Sequence, residues 1–408
     1  MKHPPKKVAV AVHGAQSAHR ELIRGVHRYA IEHQLTWRFP RPQTRRGSFD
    51  ILPQQMRSEP LDGIIGIFWE AKDIAYFQKR GVVCVNVFSH TTEKSTPVVT
   101  SDDFQIGYAA GQHFIAQDIR RIYFYGPRSL NVGELRYRGL AAAADAAGLP
   151  RVVELPFIPG YSGDPSSVLF GKALKVLMNA PDGPMHQPSG VMLFADTLVD
   201  ECMETCLDAG IRIPDQLAVV GVDNENILCN MMRPSLSSIP QNAEEIGYLA
   251  AEQLARLFAG KTPPAKPILV RPQAIHVRQS SDLLAVDDPI VMQALGIIRD
   301  RAGQNIGVSD LLKVAPMARR TLEGRFLKTL GFSPYEAILR SRINLAKDLL
   351  STTGRTVEAV AIESGFNSLT RFTLVFRRIV GCPPGEWRKS SQSTSPRHSE
   401  TGRPQKAK

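Results

Sequence analysis

Thr356-Val-Glu-Ala-Val-Ala-Ile-Glu-Ser-Gly365-Phe366-Asn-Ser368-Leu-Thr-Arg-Phe372-Thr-Leu-Val-Phe376-Arg-Arg-Ile-Val-Gly381-Cys-Pro383-Pro-Gly-Glu-Trp387-Arg reads as a short helix, a tight turn and a second helix. Val357, Val360 and Ala361 recur at helical spacing and make one apolar face. Gly365 supplies the positive-φ residue that lets two helices cross steeply. Ser368 is an N-cap for the next helix, whose Phe372 and Phe376 lie four apart on its buried side. Ser368, Leu369, Thr370 and Arg371, with Leu374, are left on or near the outer face, where a recognition helix meets the major groove of a duplex.

The stretch before it repeats this grammar less perfectly. Val308, Leu311 and Leu312 form a buried side, Pro316-Met317 makes the turn, and Arg319-Arg320-Thr-Leu322-Glu323-Gly-Arg-Phe326 opens the second helix. Arg319, Arg320 and Glu323 are its expected DNA-facing residues. Between the two units, Ser333-Pro334 is a cap followed by a first-turn proline, starting one long helix through Leu350. Its Ile338, Ile343, Ala346 and Leu350 pack on both neighbours. Ala318 and Ser368, which begin the two recognition helices, are 50 residues apart. A rigid connecting helix holds such a pair about one DNA turn, roughly 34 Å, apart.

Charge points to the same partner. Residues 289–408 carry 20 Lys/Arg against 9 Asp/Glu, an excess of 11, whereas the first 288 residues hold 30 of each. The whole formal charge of +11 therefore belongs to the helical segment and its tail. That is the footprint of a protein that releases counterions from phosphates; a solvated basic face is the plainer alternative.

Roughly residues 289–389 resemble the DNA-binding domain of the arabinose-activator (AraC) family of transcription regulators. The resemblance rests on Ala346…Leu350, Gly365-Phe366, Phe372, Phe376, Gly381, Pro384 and Arg388. Two positions depart from it. A polar cap is usual where Ala318 stands, and Gly324 sits inside the first recognition helix. Glycine there costs about 1 kcal/mol against alanine and offers no side chain to DNA.

Ahead of this segment, residues 8–278 alternate short apolar runs with amphipathic ones. Val8–Val12, Thr36–Phe39, Gly63–Phe68, Val82–Val87, Val98–Thr100, Arg121–Tyr125, Val152–Phe157, Val191–Ala195 and Leu217–Val222 read as strands. Arg20–His33, Phe104–Gln117 and Thr197–Ala209 are among the helices between them. Buried runs separated by helices imply an α/β fold of parallel sheets wound by right-handed crossovers, and this many strands imply two lobes. Ligands sit at the carboxyl ends of such strands. Those ends hold His13, Trp69-Glu70, Ser101-Asp102-Asp103, Asp196 and Asp223-Asn224, with Arg136 near the start of a later helix. Carboxylates and amides exchange hydrogen bonds with vicinal hydroxyls, an arginine fork clamps a pair of them, and a tryptophan stacks on the apolar face of a sugar ring. A lone Asp at a strand end is more often a helix cap. His13, Trp69, Asp102, Arg136, Asp196 and Asp223 converging on one cleft would instead mark a sugar site.

From Lys7 to about Arg278 the chain resembles the sugar-sensing core of lactose-repressor-type, periplasmic-binding-protein-like regulators. The matching stretches are Gly25-Val26, Asp62-Gly63, Ser101-Asp102…Gly107, Arg136…Gly139, Phe194-Ala-Asp196, Ile213-Pro214-Asp215…Gly221-Val-Asp223 and Leu236-Ser-Ser-Ile239. The resemblance implies effector contacts at Asp102, Arg136 and Asp223. The DNA-binding headpiece and hinge helix usual at the start of that family have no counterpart before Lys7. Such a sensor joined to a C-terminal arabinose-activator-type domain implies a sugar-responsive, DNA-binding activator of a pentose (xylose-like) catabolic operon. The implied partners are a double-stranded operator, a small sugar effector, a second copy of the chain and RNA polymerase, with no cofactor, no metal and no membrane.

The expected order along the chain is a sensor over 7–279, a linker over 280–288, a double helix-turn-helix over 289–390 and a disordered basic tail over 391–408. Met1-Lys-His-Pro-Pro-Lys-Lys runs straight into Val8–Val12, too short and strand-like for a secretory core, and no apolar run approaches the roughly 20 residues of a membrane span. Five cysteines without metal-type spacing complete the expectation of a reduced, cytoplasmic protein. GxGxxG, GxxxxGK[ST], GxSxG and HExxH are all absent, so a sugar-processing α/β enzyme is the weaker alternative, separable by assaying for products from pentoses. A structural DNA binder, indifferent to sugar, is the other.

Overall fold

The computed structural model describes residues 5–12, 16–39, 60–68, 70–88, 91, 96–157, 167–282, 288–301, 303–304, 306–352 and 355–392. The chain divides into two compact units, Met1–Leu283 and Leu284–Lys408.

The first unit holds two five-stranded sheets, all parallel. One runs in the order β1 (Val8–Ala11), β2 (Gly63–Gly66), β3 (Val83–Val87), β4 (Val98–Ser101) and β10 (Ile268–Val270). The other runs β6 (Val153–Glu154), β5 (Arg121–Tyr125), β7 (Ser189–Leu193), β8 (Leu217–Val222) and β9 (Ser237–Ile239). Every residue of β1, β2, β7 and β8 is buried, as parallel strands covered by helices on both faces must be. Each sheet with its helices, α2 (Ala71–Gln78) on the first and α5 (Ser167–Asn179), α6 (Val199–Asp208) and α7 (Asn226–Met231) on the second among them, forms a lobe, and the chain crosses between lobes three times. It leaves β4 for α3 (Asp103–Ile115), which packs on β7 and β8; it leaves β9 for α8 (Ala243–Phe258), which packs on β3 and on α1 (Ser17–Glu32); and it leaves β10 for the short turn Gln279–Ser281 beside β8 and β9.

Within the second lobe, α3 packs on α4 (Asn131–Ala146) with their backbones touching. A Cβ added at Gly139 would sit 1.9 Å from the Phe104 carbonyl oxygen, and one at Gly107 would sit 1.9 Å from that of Arg136. Only glycine permits this approach, and the approach is what brings Asp103 and Arg136 together.

Several strand assignments change. Thr36–Phe39 forms no strand; its one ladder contact is a parallel bridge from Arg38 to Lys7. Val152–Phe157 shortens to Val153–Glu154, and the three-residue β9 and β10 carry too little periodicity to read from sequence. Ser280 and Ser281, expected to open the linker, are fully buried in the sensor instead. The Ser280 hydroxyl donates to the Val219 carbonyl at 2.6 Å and accepts from the Ser237 amide at 2.9 Å. Residues 283–287 of that linker lie outside the described residues.

The second unit is all helical: α9 (Pro289–Asp300), α10 (Val308–Val314), α11 (Arg319–Leu330), α12 (Pro334–Thr352), α13 (Val357–Glu363), α14 (Leu369–Val380) and α15 (Pro384–Gln392). Asp288 caps α9, accepting from the Ile290 and Val291 amides at 3.0 and 3.4 Å, and also pairs with Arg325. The long α12 divides the interior. Its Ala337 and Ile338 pack with Val291, Leu311, Leu322 and Phe326, while its Leu339, Ile343, Ala346 and Leu350 pack with Val360, Phe366, Phe372 and Phe376. Helix α15 carries the structure two residues into the expected tail, and 393–408 lie outside the described residues. Among the described residues no helix is long and apolar enough to cross a membrane.

Candidate effector cleft and nucleic-acid interface

A cavity of about 640 Å³ opens between the lobes of the first unit, at the carboxyl ends of β1, β2, β3, β5, β7 and β8. That volume suits a small molecule. Gln16, His19, Arg136, Thr197, Asp223 and Gln241 supply its polar groups, and Phe88, Phe157 and Phe194 much of its apolar wall. Phe88, Asp223 and Asn224 take positive φ values of 54°, 107° and 50° directly after strands β3 and β8. Such strained backbone is characteristic of ligand-holding positions.

Arg136 is the charged group at the centre. Its side chain is 3% exposed, and its Nε donates to Asp103 Oδ1 at 2.8 Å. A second nitrogen donates to the Phe194 carbonyl, and the guanidinium carbon lies 4.8 Å from the centre of the Phe194 ring. The fork is thus pinned on one side while it lines the cavity. Asp223 faces the same space and accepts from Gln241 Nε2, and Gln241 Oε1 accepts in turn from the Ser101 hydroxyl. This relay joins the end of β4, the second crossing and the end of β8, so it ties both lobes to one cavity residue.

Asp196 behaves differently from its expected role. It is fully buried and does not line the cavity. Its oxygens accept from the Ser238 hydroxyl at 2.7 and 3.0 Å, the Glu225 amide at 2.8 Å and the Cys229 thiol at 3.3 Å. It therefore anchors the loop that presents Asp223. Burial, reinforced by the charge of Asp223, pushes its carboxyl up to about 7. Asp223 is raised to about 6, again chiefly by burial, against the opposing pull of Arg136 and Gln241.

Asp102 also stands outside the cavity lining. It is the N-cap of α3, accepting from the Gln105 amide at 3.1 Å, and its own amide donates to Val270 at 2.8 Å. It sits on the first crossing, and its neighbour Asp103 makes the ion pair. Arg136 and Asp223 are the two expected residues that the structure brings together at the cavity; His13 and Trp69 lie outside the described residues. Gln16, His19, Thr197 and Gln241 were not anticipated. Gln241 obeys the same strand-end rule as the others, but β9 was not read as a strand. Glu225 spans the lobes as well: its carboxylate accepts from the Ser17 amide at the start of α1 and lies 3.4 Å from Arg20. Among the described residues no group of three or more His, Cys, Asp or Glu is placed to hold a metal ion.

In the second unit, α11 and α14 are the later helices of two helix-turn-helix units, with Gly365 at φ 79° making the second turn. Arg319 and Arg320 are exposed on α11; Arg319 pairs with Glu323 at 2.9 Å. On α14, Ser368 caps by accepting from the Arg371 amide at 3.4 Å, and Ser368, Leu369, Thr370 and Arg371 are all exposed. The Arg371 guanidinium donates to the Tyr335 hydroxyl of α12, which holds it away from a purely outward path.

Residues 112–281 match the family described as periplasmic binding protein-like domain, and residues 311–390 match a helix-turn-helix domain. The chain is 26% identical over 390 residues to a xylose operon regulatory protein of Haemophilus influenzae, spanning 94% of this chain and 98% of that one. It is 26% identical over 392 residues to the protein of the same name from Escherichia coli K12, spanning 90% and 93%. Its fold matches a structure of a xylose-binding transcription activator with a TM-score of 0.76, at 24% identity, over 96% of this chain and 99% of that one. Both expected resemblances therefore stand, to periplasmic-binding-protein-like sensors and to arabinose-activator-type DNA-binding domains.

Proposed function

We propose that this chain, joining a periplasmic binding protein-like sensor to a tandem helix-turn-helix domain, is a sugar-responsive DNA-binding regulator that activates a pentose (xylose-like) catabolic operon. The observation that carries this reading is a cavity between two lobes in the same chain as two helix-turn-helix units. Proteins named as xylose operon regulators are similar to the chain over nearly their whole length. In the proposed boundaries the sensor, expected over 7–279, also takes in Ser280 and Ser281, the rest of the expected 280–288 linker follows, and the DNA-binding domain runs over 289–390. The chain works as a homodimer in the cytoplasm, bound to a duplex operator and touching RNA polymerase, and catalyses no reaction.

Arg136 and Asp223 hold the effector: the guanidinium fork donates to adjacent hydroxyls, the carboxylate accepts from one, and Phe88, Phe157 and Phe194 cover the apolar faces of the ring. Gln16 and His19 come from one lobe and Arg136, Thr197 and Asp223 from the other, so a sugar filling the cavity contacts both. It favours the closed arrangement by the difference between its affinities for the closed and open forms, and this difference is all that it can transmit to DNA.

The test is a thermal-shift panel of pentoses and hexoses on the full chain, followed by duplex binding with and without the stabilising sugar. One pentose at a hundred times its dissociation constant should stabilise the sensor by about 2.7 kcal/mol. Arg136→Ala and Asp223→Ala should each abolish that shift. A panel in which no sugar shifts the wild type, or unchanged sugar affinity in both variants, overturns the reading.

A further inference from the structure

Helices α11 and α14 are the same length, start 50 residues apart and end on left-handed glycines, Gly331 and Gly381. Each buries the fourth and eighth residue: Leu322 and Phe326 in α11, Phe372 and Phe376 in α14. With 3.6 residues per turn, the residue midway between two such positions points directly away from the core. That residue is Gly324 in α11 and Leu374 in α14.

The packing of the free protein calls for neither. A Cβ at Gly324 would meet nothing within 4 Å, so packing does not require glycine. Its backbone is helical and lies outside the left-handed region, so conformation does not require it either. Yet after proline it is the residue least favourable inside a helix. Leu374 is 67% exposed, against 42% for Leu369, which lies nearer the buried edge. A single exposed leucine is ordinary. A helix-weakening glycine that packing does not require and a leucine two-thirds exposed, at the same register of a repeat and at the centres of the faces that the repeat turns outward, are not. Around Leu374 stand Thr370, Arg377 and Arg378, and Arg378 is anchored to Glu336 at 2.7 Å. Around Gly324 stand Arg320, Leu327 and Lys328.

We propose that Gly324 and Leu374 are the specificity-determining pair of the DNA interface: Gly324 lets α11 seat close against base edges, and Leu374 packs on a thymine methyl. This rests on reading the second unit as a duplex binder. A smooth helix centre lowers the floor on which flanking Arg320 reaches into the groove, whereas an apolar knob reads the one base edge that carries a methyl group.

The experiment uses the full chain and duplexes selected from a random-sequence pool. Each thymine of the selected duplex is replaced in turn by uracil, which removes only the methyl group. The wild type should lose about three- to fivefold in affinity at one or two positions, the worth of one buried methyl. Leu374→Ala should lose both the base preference and the thymine–uracil discrimination at one of them while keeping preferences elsewhere. Gly324→Ala should raise the melting temperature of the DNA-free protein, yet weaken the selected duplex about tenfold as the added methyl is forced against the bases. Uracil tolerance at every position, a uniform loss in Leu374→Ala, or unaltered binding by Gly324→Ala overturns the assignment. A wild type that binds no duplex overturns the duplex-binder reading instead, so the two failures are distinct.

Discussion

In the first unit Arg136 and Asp103 meet at 2.8 Å with 3% and 1% of their side chains exposed; in the second, Arg319 and Glu323 meet at 2.9 Å with 67% and 38% exposed. The geometry is nearly the same and the environment is not. An exposed pair gains little, because water solvates either partner when the other leaves. A buried pair holds together two charges that water cannot reach, so removing one strands the other. The sensor thus seals one charged pair beside its cavity, while the helical unit displays the Arg319 pair where phosphates can replace solvent.

The largest effect that would sharpen this contrast is at Arg136. Arg136→Ala should destabilise the sensor by about 3–5 kcal/mol, because the buried Asp103 carboxylate loses the guanidinium that offsets its charge. Calorimetry of the full chain should show the sensor transition lowered and that of the helical unit unmoved. A loss below about 1 kcal/mol would mean that burial does not separate the two pairs.

An intermediate effect is expected from Asp196 and Asp223. Both are raised by burial, to about 7 and about 6, so the folded state keeps protons that unfolded aspartates release near pH 4. Their contribution is therefore most favourable in acid and is lost as pH rises from about 4 to about 7. The two titrate together. Denaturation of the full chain at pH 5, 6, 7 and 8 should show the sensor weakening with pH, and Asp196→Asn should flatten that slope. A wild-type sensor whose stability is flat or rises across this range would contradict the assignment.

The smallest stability effect is at Arg319. Arg319→Ala should leave the stability of the helical unit within about 0.5 kcal/mol of wild type. Duplex affinity should nonetheless fall, with the salt dependence shallower by about one charge. If instead stability fell as far as in Arg136→Ala, the exposed pair would be structural and the contrast would fail.

Legibility differed between the units in the same way. In the helical unit, cap and period give α12 its start at Pro334 and its end within two residues, because capping and i, i+4 packing act over a few positions. Gly365, Phe372 and Phe376 all occupy the places that their spacing implies. In the sensor the parallel core was readable, but Thr36–Phe39 has strand-like residues without becoming a strand, and β9 and β10 are three residues each. The site was partly legible. Arg136 and Asp223 line the cavity, whereas Asp102 caps a helix and Asp196 anchors a loop, and four aspartates at strand ends look alike until their neighbours are known.

What the order of residues determined by itself was local: two helix-turn-helix units in tandem, alternating buried strands and helices ahead of them, and all of the net charge in the last third of the chain. Those properties follow from period, capping and composition, which need no partner far along the chain. What only the tertiary structure decided was which charge faces which. Arg136 finds Asp103 because two glycines let α3 and α4 touch; Glu225 reaches α1 across more than two hundred residues; and Gln241 links Ser101 to Asp223 where the chain crosses between lobes. A hydrogen bond is specific to a few tenths of an ångström, and that precision between distant residues exists only after the sheets have packed.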